Sequence, residues 1–356
     1  MENSDVTKFD HRIIDPHPPH DPHIKAAGDI DGDGFPDVVV ASSDGGPLVW
    51  YRNPDWANHV VAPGGAWSCS AQVVDMDGDG DGDILISEWY THNRLEWYEN
   101  PLPTGDPARD PWRRHLIGTP RAHDISVGDL DGDGHLEIVT RDQGERGRQI
   151  VLWKPSGPHS WSSRALPCPE GEGLAIGSIA GTGRLDIVIA GRWYEAPPDI
   201  MAGPWREYVF ADWPPDAVVA LADISGDGRL DVVLTRSEGP HRLSWFEHPA
   251  DPRAQAWPEH VVEESLDFAH SLVVSESADG ELILVTAEMH QSRRRRVIAY
   301  LGRRGSHQWH REILAHTGSH NLCVVRLADT GSLGIVGANW SGPYQPLELW
   351  QQKPAQ

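Results

Sequence analysis

Residues 28–41 read GDIDGDGFPDVVVA: Asp29, Asp31, Asp33 and Asp37 stand at positions 1, 3, 5 and 9 of a tight loop that runs straight into valines. Alternate carboxylates on a short turn offer the oxygen ligands that calcium takes, Gly34 allows the sharp bend, and the Phe35 carbonyl adds a further oxygen. A helix–loop–helix sensor would need a bidentate glutamate at position 12, where this chain has Val40. The flanks are β-branched or alternating. The loop is therefore expected to join two strands as a staple, not to open a pair of helices.

The loop recurs. Asp75, Asp77, Asp79 and Asp83 form a second copy, and Asp129, Asp131, Asp133 and Glu137 a third. Asp223, Ser225, Asp227 and Asp231 form another, with weaker copies from Ser178 to Asp186, from Ser275 and from Arg326. A spacing of about 50 residues marks propeller blades or a solenoid. Each loop leads into an apolar strand, then a strand such as LVWYRNP, LEWYENP or IVLWKPS, then a fourth strand opening on Trp. The seventh unit ends before its fourth strand, and FDHRIID (Phe9 to Asp15) has the look of the missing one. The pattern predicts an all-β fold: a seven-bladed β-propeller of four-stranded blades, closed by an N-terminal strand that leaves no open edge. Residues 1–356 then make a single propeller domain, with 1–22 completing the last blade and blades starting near 23, 69, 123, 172, 216, 270 and 320.

Composition narrows the partners. A formal charge of −23 argues against nucleic acid and against an anionic membrane surface. Three widely spaced cysteines, Cys69, Cys168 and Cys323, make a poor disulfide framework and fit a reducing compartment. The start MENSDVTKFD has neither a basic nor an apolar leader region, and no run is apolar enough to span a bilayer. A cytoplasmic setting is expected, and a homo-oligomer stays open.

In a propeller the aspartate turns share one face, and the entries to the innermost strands share the other. Reading those entries gives His23, Ser68 and Ser70, His123, Glu172, Asp216, His270 and His320. A single channel-facing histidine is more often a satisfied polar residue than a ligand. The same slot varies from blade to blade, however, which suggests assigned roles. His270, His290 and His320 from blades 6 and 7, with Glu288, offer a zinc site with an open position. On the opposite side stand His123 and Glu172, with Tyr90 and Arg141 nearby, as acid–base candidates. His23 with Trp89, Trp193 and Trp340 could contact sugar faces, although packing is the commoner fate of each tryptophan. The run Arg293 to Arg296 reads as a solvated face.

The GDIDGDGFPDVVVA units resemble FG-GAP/VCBS repeats of integrin-type propellers, and this resemblance implies the propeller fold and structural calcium. The stretches DPHIKAAGDIDGDGFPDVVV, RAHDISVGDLDGDG, DFAHSLVV, AEMHQS and GSHN resemble the propeller domain of aldos-2-ulose (1,5-anhydrofructose) dehydratases. That resemblance implies a zinc ion at the floor of a cleft and dehydration of a keto-sugar. The chemistry expected is a carbon–oxygen lyase: His123 takes an α-proton while zinc or another divalent transition metal stabilises the enolate. A keto-glycoside would serve equally. Alternatives are a non-catalytic, calcium-stabilised propeller that binds glycan or protein, and a propeller polysaccharide lyase.

Overall fold

The computed structural model describes residues 8–88, 91–143, 148–157, 159–254, 256–277 and 279–353. These form twenty-eight strands in seven four-stranded antiparallel sheets, with no helix among the described residues. Blade 1 shows the plan: β2 (Pro22–Gly28), β3 (Asp37–Ser42), β4 (Leu48–Tyr51) and β5 (Asn58–Ala62) pair in chain order. The aspartate loop joins the first two. The first strands of blades 2 to 7 are β6 (Ala71–Val74), β10 (Ala122–Gly128), β14 (Ala175–Gly177), β18 (Ala217–Ala222), β22 (Ala269–Glu276) and β26 (His320–Arg326). Each of these touches the next, and β26 touches β2, so the seven inner strands form a ring. The last sheet runs β26, β27 (Leu333–Ala338), β28 (Leu347–Gln352) and then β1 (Phe9–Asp15), with Phe9 opposite Gln352.

The valine run after the first loop is apolar on both strand faces because both faces are covered. Val39 and Ala41 pack toward blade 2 with Ile84, Ile86 and Trp112. Val38 and Val40 pack toward blade 7 with Cys323, Val325 and Val336. Each fully buried side chain of this kind is worth about 1.5–3 kcal/mol, so the strand is held by its neighbours as much as by its own sheet. The three cysteines are free and buried.

The mouths of the inner strands are irregular. In β2 the ladder skips His23, in β10 it skips His123, and in β22 it skips His270. The register of β26 also breaks between His320 and Cys323. A bulged residue has no ladder partner, and the local kink re-aims its side chain. At the mouths of β2, β10 and β22 the skipped residue is in each case a histidine.

Candidate functional site

Side chains from blades 3, 4 and 6 converge where the inner strands begin. His123 Nε2 lies 3.1 Å from Glu172 Oε2, and His270 Nε2 lies 3.1 Å from Glu172 Oε1. All three residues are buried, and their ligand atoms fall within 4.8 Å of one another. Two donors bound to one tetrahedral zinc at about 2.0–2.1 Å stand about 3.3 Å apart, so the spacing suits a shared ion. His270 Nδ1 has no hydrogen-bond partner among the described residues. Two imidazoles and a carboxylate form a donor set that zinc accepts. Behind His123, Asp124 Oδ2 sits 3.3 Å from Nδ1 and accepts the Gly173 N–H at 2.9 Å, the arrangement of a carboxylate that orients a ligand histidine.

Glycine makes the Glu172 position attainable. Gly171 and Gly173 have φ of 139° and 91°, and a Cβ on either would come within 2.2 Å of the Pro215 oxygen or 2.0 Å of the Ala217 oxygen. Arg141 fixes the same segment from behind. Its fully buried guanidinium donates to the carbonyl oxygens of Glu172, of Gly173 at 2.9 Å and of Pro169 at 3.2 Å. Arg141 is thus a positioning residue for Glu172, and its donors face backbone rather than a leaving group. Burial opposes ionisation throughout the cluster, yet His270 and His123 hold the Glu172 carboxyl well below the usual carboxylate range. Against the same burial, Cys69, Glu172 and Asp124 raise His123 well above an ordinary histidine, and Glu172 raises His270.

Two more imidazoles extend the cluster. His320 stacks on His270 with ring centroids 4.4 Å apart, and His23 lies 4.4 Å from His320. Burial, with neighbouring cations adding to it, lowers both His23 and His320 well below the ordinary value. Their backbone partners fix the tautomers. The Cys69 N–H donates to His23 Nδ1 at 2.7 Å, so neutral His23 carries its proton on Nε2. His320 Nδ1 donates to the His23 carbonyl at 3.1 Å, which leaves His320 Nε2 as a free base. Asn321 Nδ2 bonds the His23 carbonyl at 3.2 Å and so helps to hold this pair. Trp340, half-buried, presents an edge contact to His23 at 4.8 Å and to His290 at 5.2 Å.

The structure rearranges the residues singled out from the sequence. His123 and Glu172, expected across the channel from the metal ligands, are in contact with His270 and share its cluster. Glu288 does not join it. Its oxygens are taken by Arg296 at 2.7 Å and Arg294 at 2.9 Å, with Ser292 at 3.3 Å, so part of the arginine run clamps a buried carboxylate instead of facing solvent. The Trp340 ring contacts His290 on one hand and His23 and His320 on the other. Trp193 is fully buried between blades 4 and 5, stacked on Tyr208, and offers no face to a sugar. Trp89 and Tyr90 lie outside the described residues. Sequence reasoning missed Gln143, which donates to Glu172 Oε2 at 2.6 Å, and Glu238, 3.8 Å from His270 Nε2. Both lie just past the end of a blade's second strand, Gln143 two residues after Arg141, and that shared address was the available signal.

A cavity of about 230 Å³ adjoins the cluster, lined among others by Lys25, Gln72, Asp124, Glu172, His270 and Asn321. This lies below the ~300–1,000 Å³ of sites for drug-sized ligands, which suits a small substrate. A more open groove of about 760 Å³ passes Trp213, His241 and Arg242, but Arg242 is paired there with Glu259 and, among the described residues, no cluster of ligating groups converges on it. Lys25 donates to the carbonyls of Pro22 at 2.7 Å and Ala338 at 2.9 Å, bridging blades 1 and 7. Burial, only partly offset by Cys323, lowers its ammonium to about 7 from 10.5. Between those values the unfolded chain binds a proton that the folded chain does not. The stability from this group is complete above 10.5 and lost as pH falls through about 7. Lys25→Met should therefore flatten the rise of the thermal midpoint over that window relative to the unsubstituted protein, read by scanning calorimetry across pH. Parallel profiles for the two proteins would refute the assignment.

The aspartate loops share one scaffold. Asp29 accepts the N–H groups of Gly32, Asp33 and Gly34, and Asp75, Asp129 and Asp223 do the same in their copies. Carboxylate oxygens of Asp29, Asp31 and Asp33, of Asp75, Asp77 and Asp83, and of Asp129, Asp131 and Glu137 lie close enough to share one ion. Burial pushes Asp37 and Asp83 up to about 7, with nearby carboxylates adding to the strain. In blade 5, Arg304 reaches Asp223 at 2.9 Å and Arg229 pairs with Asp227, so two of the four loop residues Asp223, Ser225, Asp227 and Asp231 already have basic partners. Blade 3 differs again: Lys154 reaches into its loop.

Residues 29–86 and 75–140, which lie in the first three blades of the seven-bladed propeller, match the family model of the FG-GAP-like repeat. Over 143 residues, 35% of this chain, it is 28% identical to the aldos-2-ulose dehydratase of Phanerodontia chrysosporium, and the match spans 16% of that enzyme. Among solved structures, YCF48 from Cyanidioschyzon merolae shares the fold with a TM-score of 0.52 and 9% identity, covering 96% of this chain and 98% of that one. The NanB sialidase of Streptococcus pneumoniae superposes more loosely, with a TM-score of 0.44 and 11% identity over 97% of this chain and 70% of that one.

Proposed function

We propose that this chain is a metal-dependent carbon–oxygen lyase that dehydrates a keto-sugar such as 1,5-anhydrofructose, or eliminates the aglycone of a keto-glycoside. The observation that carries this reading is the meeting of His123, Glu172 and His270 beside two neutral histidines of opposite tautomer, next to a cavity of monosaccharide scale. The partial match to a dehydratase supports it. The substrate is a small sugar, with no nucleic acid or membrane partner in keeping with the charge of −23.

His123, Glu172 and His270 would hold the ion, zinc or another divalent transition metal. When bound, it supplies charge stabilisation to the ketone oxygen as the neighbouring C–H is ionised. His320 Nε2 accepts the α-proton, and the electron pair of that C–H bond forms the new C=C bond. The β C–O bond breaks, and His23 Nε2–H gives its proton to the departing hydroxide, which leaves as water, or to the departing alkoxide. The product is an enone. Arg141, Gln143 and Asp124 keep Glu172 and His123 in place. The test is to supply metal-replete protein with 1,5-anhydrofructose and 3-keto-glycosides and to follow enone absorbance. Turnover that stops on chelation of the transition ion is expected. Absence of turnover across the panel, with retained glycan binding, would favour a binding propeller.

Calcium in the loops of blades 1 and 2 would act as a staple, neutralising carboxylates that otherwise repel. A ligand bound only by the folded state stabilises it by mass action. Chelation should lower the thermal midpoint, and an unchanged midpoint would refute the staple.

A further inference from the structure

The third aspartate loop keeps the residues for a calcium site, yet its surroundings depart from the other loops in two linked ways. In blades 1, 2, 4 and 5, the acid that closes the loop accepts a backbone N–H from the end of the third strand. Asn53 donates to Asp37 at 2.9 Å, Asn100 to Asp83 at 2.8 Å, Ala196 to Asp186 at 2.9 Å and His248 to Asp231 at 2.8 Å. Pairing of Ile138 with Trp153, as of Val38 with Tyr51 and Ile84 with Tyr98, places Pro155 at that position in blade 3. Proline has no N–H to give. The closing acid there is also longer, Glu137 in place of aspartate.

The residue before Pro155 supplies the missing donor. Lys154 Nζ lies 2.7 Å from Asp131 Oδ2, 2.8 Å from Asp133 Oδ2 and 2.9 Å from Glu137 Oε1. An ammonium has three donors and no acceptor, and here all three meet carboxylates. The matching positions are Arg52, whose Nε is 3.5 Å from Asp31 alone, and Glu99, which adds negative charge to blade 2. We propose that the Lys154 ammonium is the resident cation of the third loop, so that blade 3 offsets part of its carboxylate charge from within and takes no calcium. On this proposal Lys154, and not calcium, is the partner of Asp129, Asp131, Asp133 and Glu137, although the oxygens of Asp129, Asp131 and Glu137 lie as close together as those of blades 1 and 2. Proline, glutamate and lysine form one substitution: loss of a backbone donor, a longer acid to reach the new one, and a fixed charge in place of a diffusible one.

The experiment is to count calcium per chain, by elemental mass spectrometry after equilibration with calcium chloride and removal of free ion. Lys154→Met should gain about one ion per chain over the unsubstituted protein, as the three carboxylates become available oxygen ligands. Its thermal midpoint should also fall further on chelation. Replacing Asp131 and Asp133 together by Asn, with Lys154 kept, should leave the calcium count unchanged. A fall of about one ion in that double variant, or an unaltered count in folded Lys154→Met, would overturn the proposal. The double variant decides the matter even where Lys154→Met does not fold.

Discussion

Glu172→Gln should remove the transition ion from the chain and lower kcat/KM on a dehydratable keto-sugar by about 10³-fold or more, beyond the ~10–100-fold typical of losing an outer partner of a metal. The Glu172 carboxylate faces both His123 and His270 at 3.1 Å, so its loss takes away the anionic ligand they share and leaves two imidazoles to hold the ion. Elemental analysis reads the ion and enone absorbance reads the rate. His123→Ala should behave the same way, because His123 stands in the same trio. A Glu172→Gln protein that keeps both its metal and its turnover would show that the cluster is structural. A melting curve distinguishes either result from loss of fold, since Gln keeps the shape of the side chain between Gly171 and Gly173.

His320→Ala should separate chemistry from metal binding. The transition ion should stay, while turnover falls by the ~10²–10⁴-fold that general-base catalysis contributes. His320 is stacked on His270 at 4.4 Å but is outside the set of ligand atoms that meet, and its Nδ1 is engaged by the His23 carbonyl. Only Nε2 is left to act. Loss of the metal together with activity would instead make His320 a ligand. Loss of neither would move the base to another residue.

The fold was legible because its signals are local and repeated. The loop GDIDGDG names a turn by its aspartates and glycines, and the valines after it name a strand covered on both faces, which the packing of Val38 and Val39 toward opposite neighbours explains. FDHRIID could be placed in the last blade because every other blade had a fourth strand of that kind, and Phe9 does face Gln352. The entry residues were legible as a set for the same reason. Their partners were not. Repeat spacing says which residue opens each blade but not how far it reaches across the channel, so His123 and His270 were assigned to opposite walls when one carboxylate touches both. Glu288 was misplaced because the arginines that clamp it follow a turn whose path the sequence does not state. Lys154 was invisible for a similar reason: a lysine after a tryptophan on a third strand looks exposed until the loop beside it is seen to fold over its end.

The bulges at the mouths of the inner strands also bear on how such a molecule can change. A residue skipped by the ladder has no pairing duty, so exchanging His23, His123 or His270 alters what the channel presents without asking the sheet to re-register. Stability is vested in the blade interfaces and chemistry in the skipped positions, and the two can drift apart over evolutionary time. One ring can thus be re-equipped, residue by residue, for adhesion, recognition or catalysis, which is a physical basis for finding unrelated tasks on a single architecture.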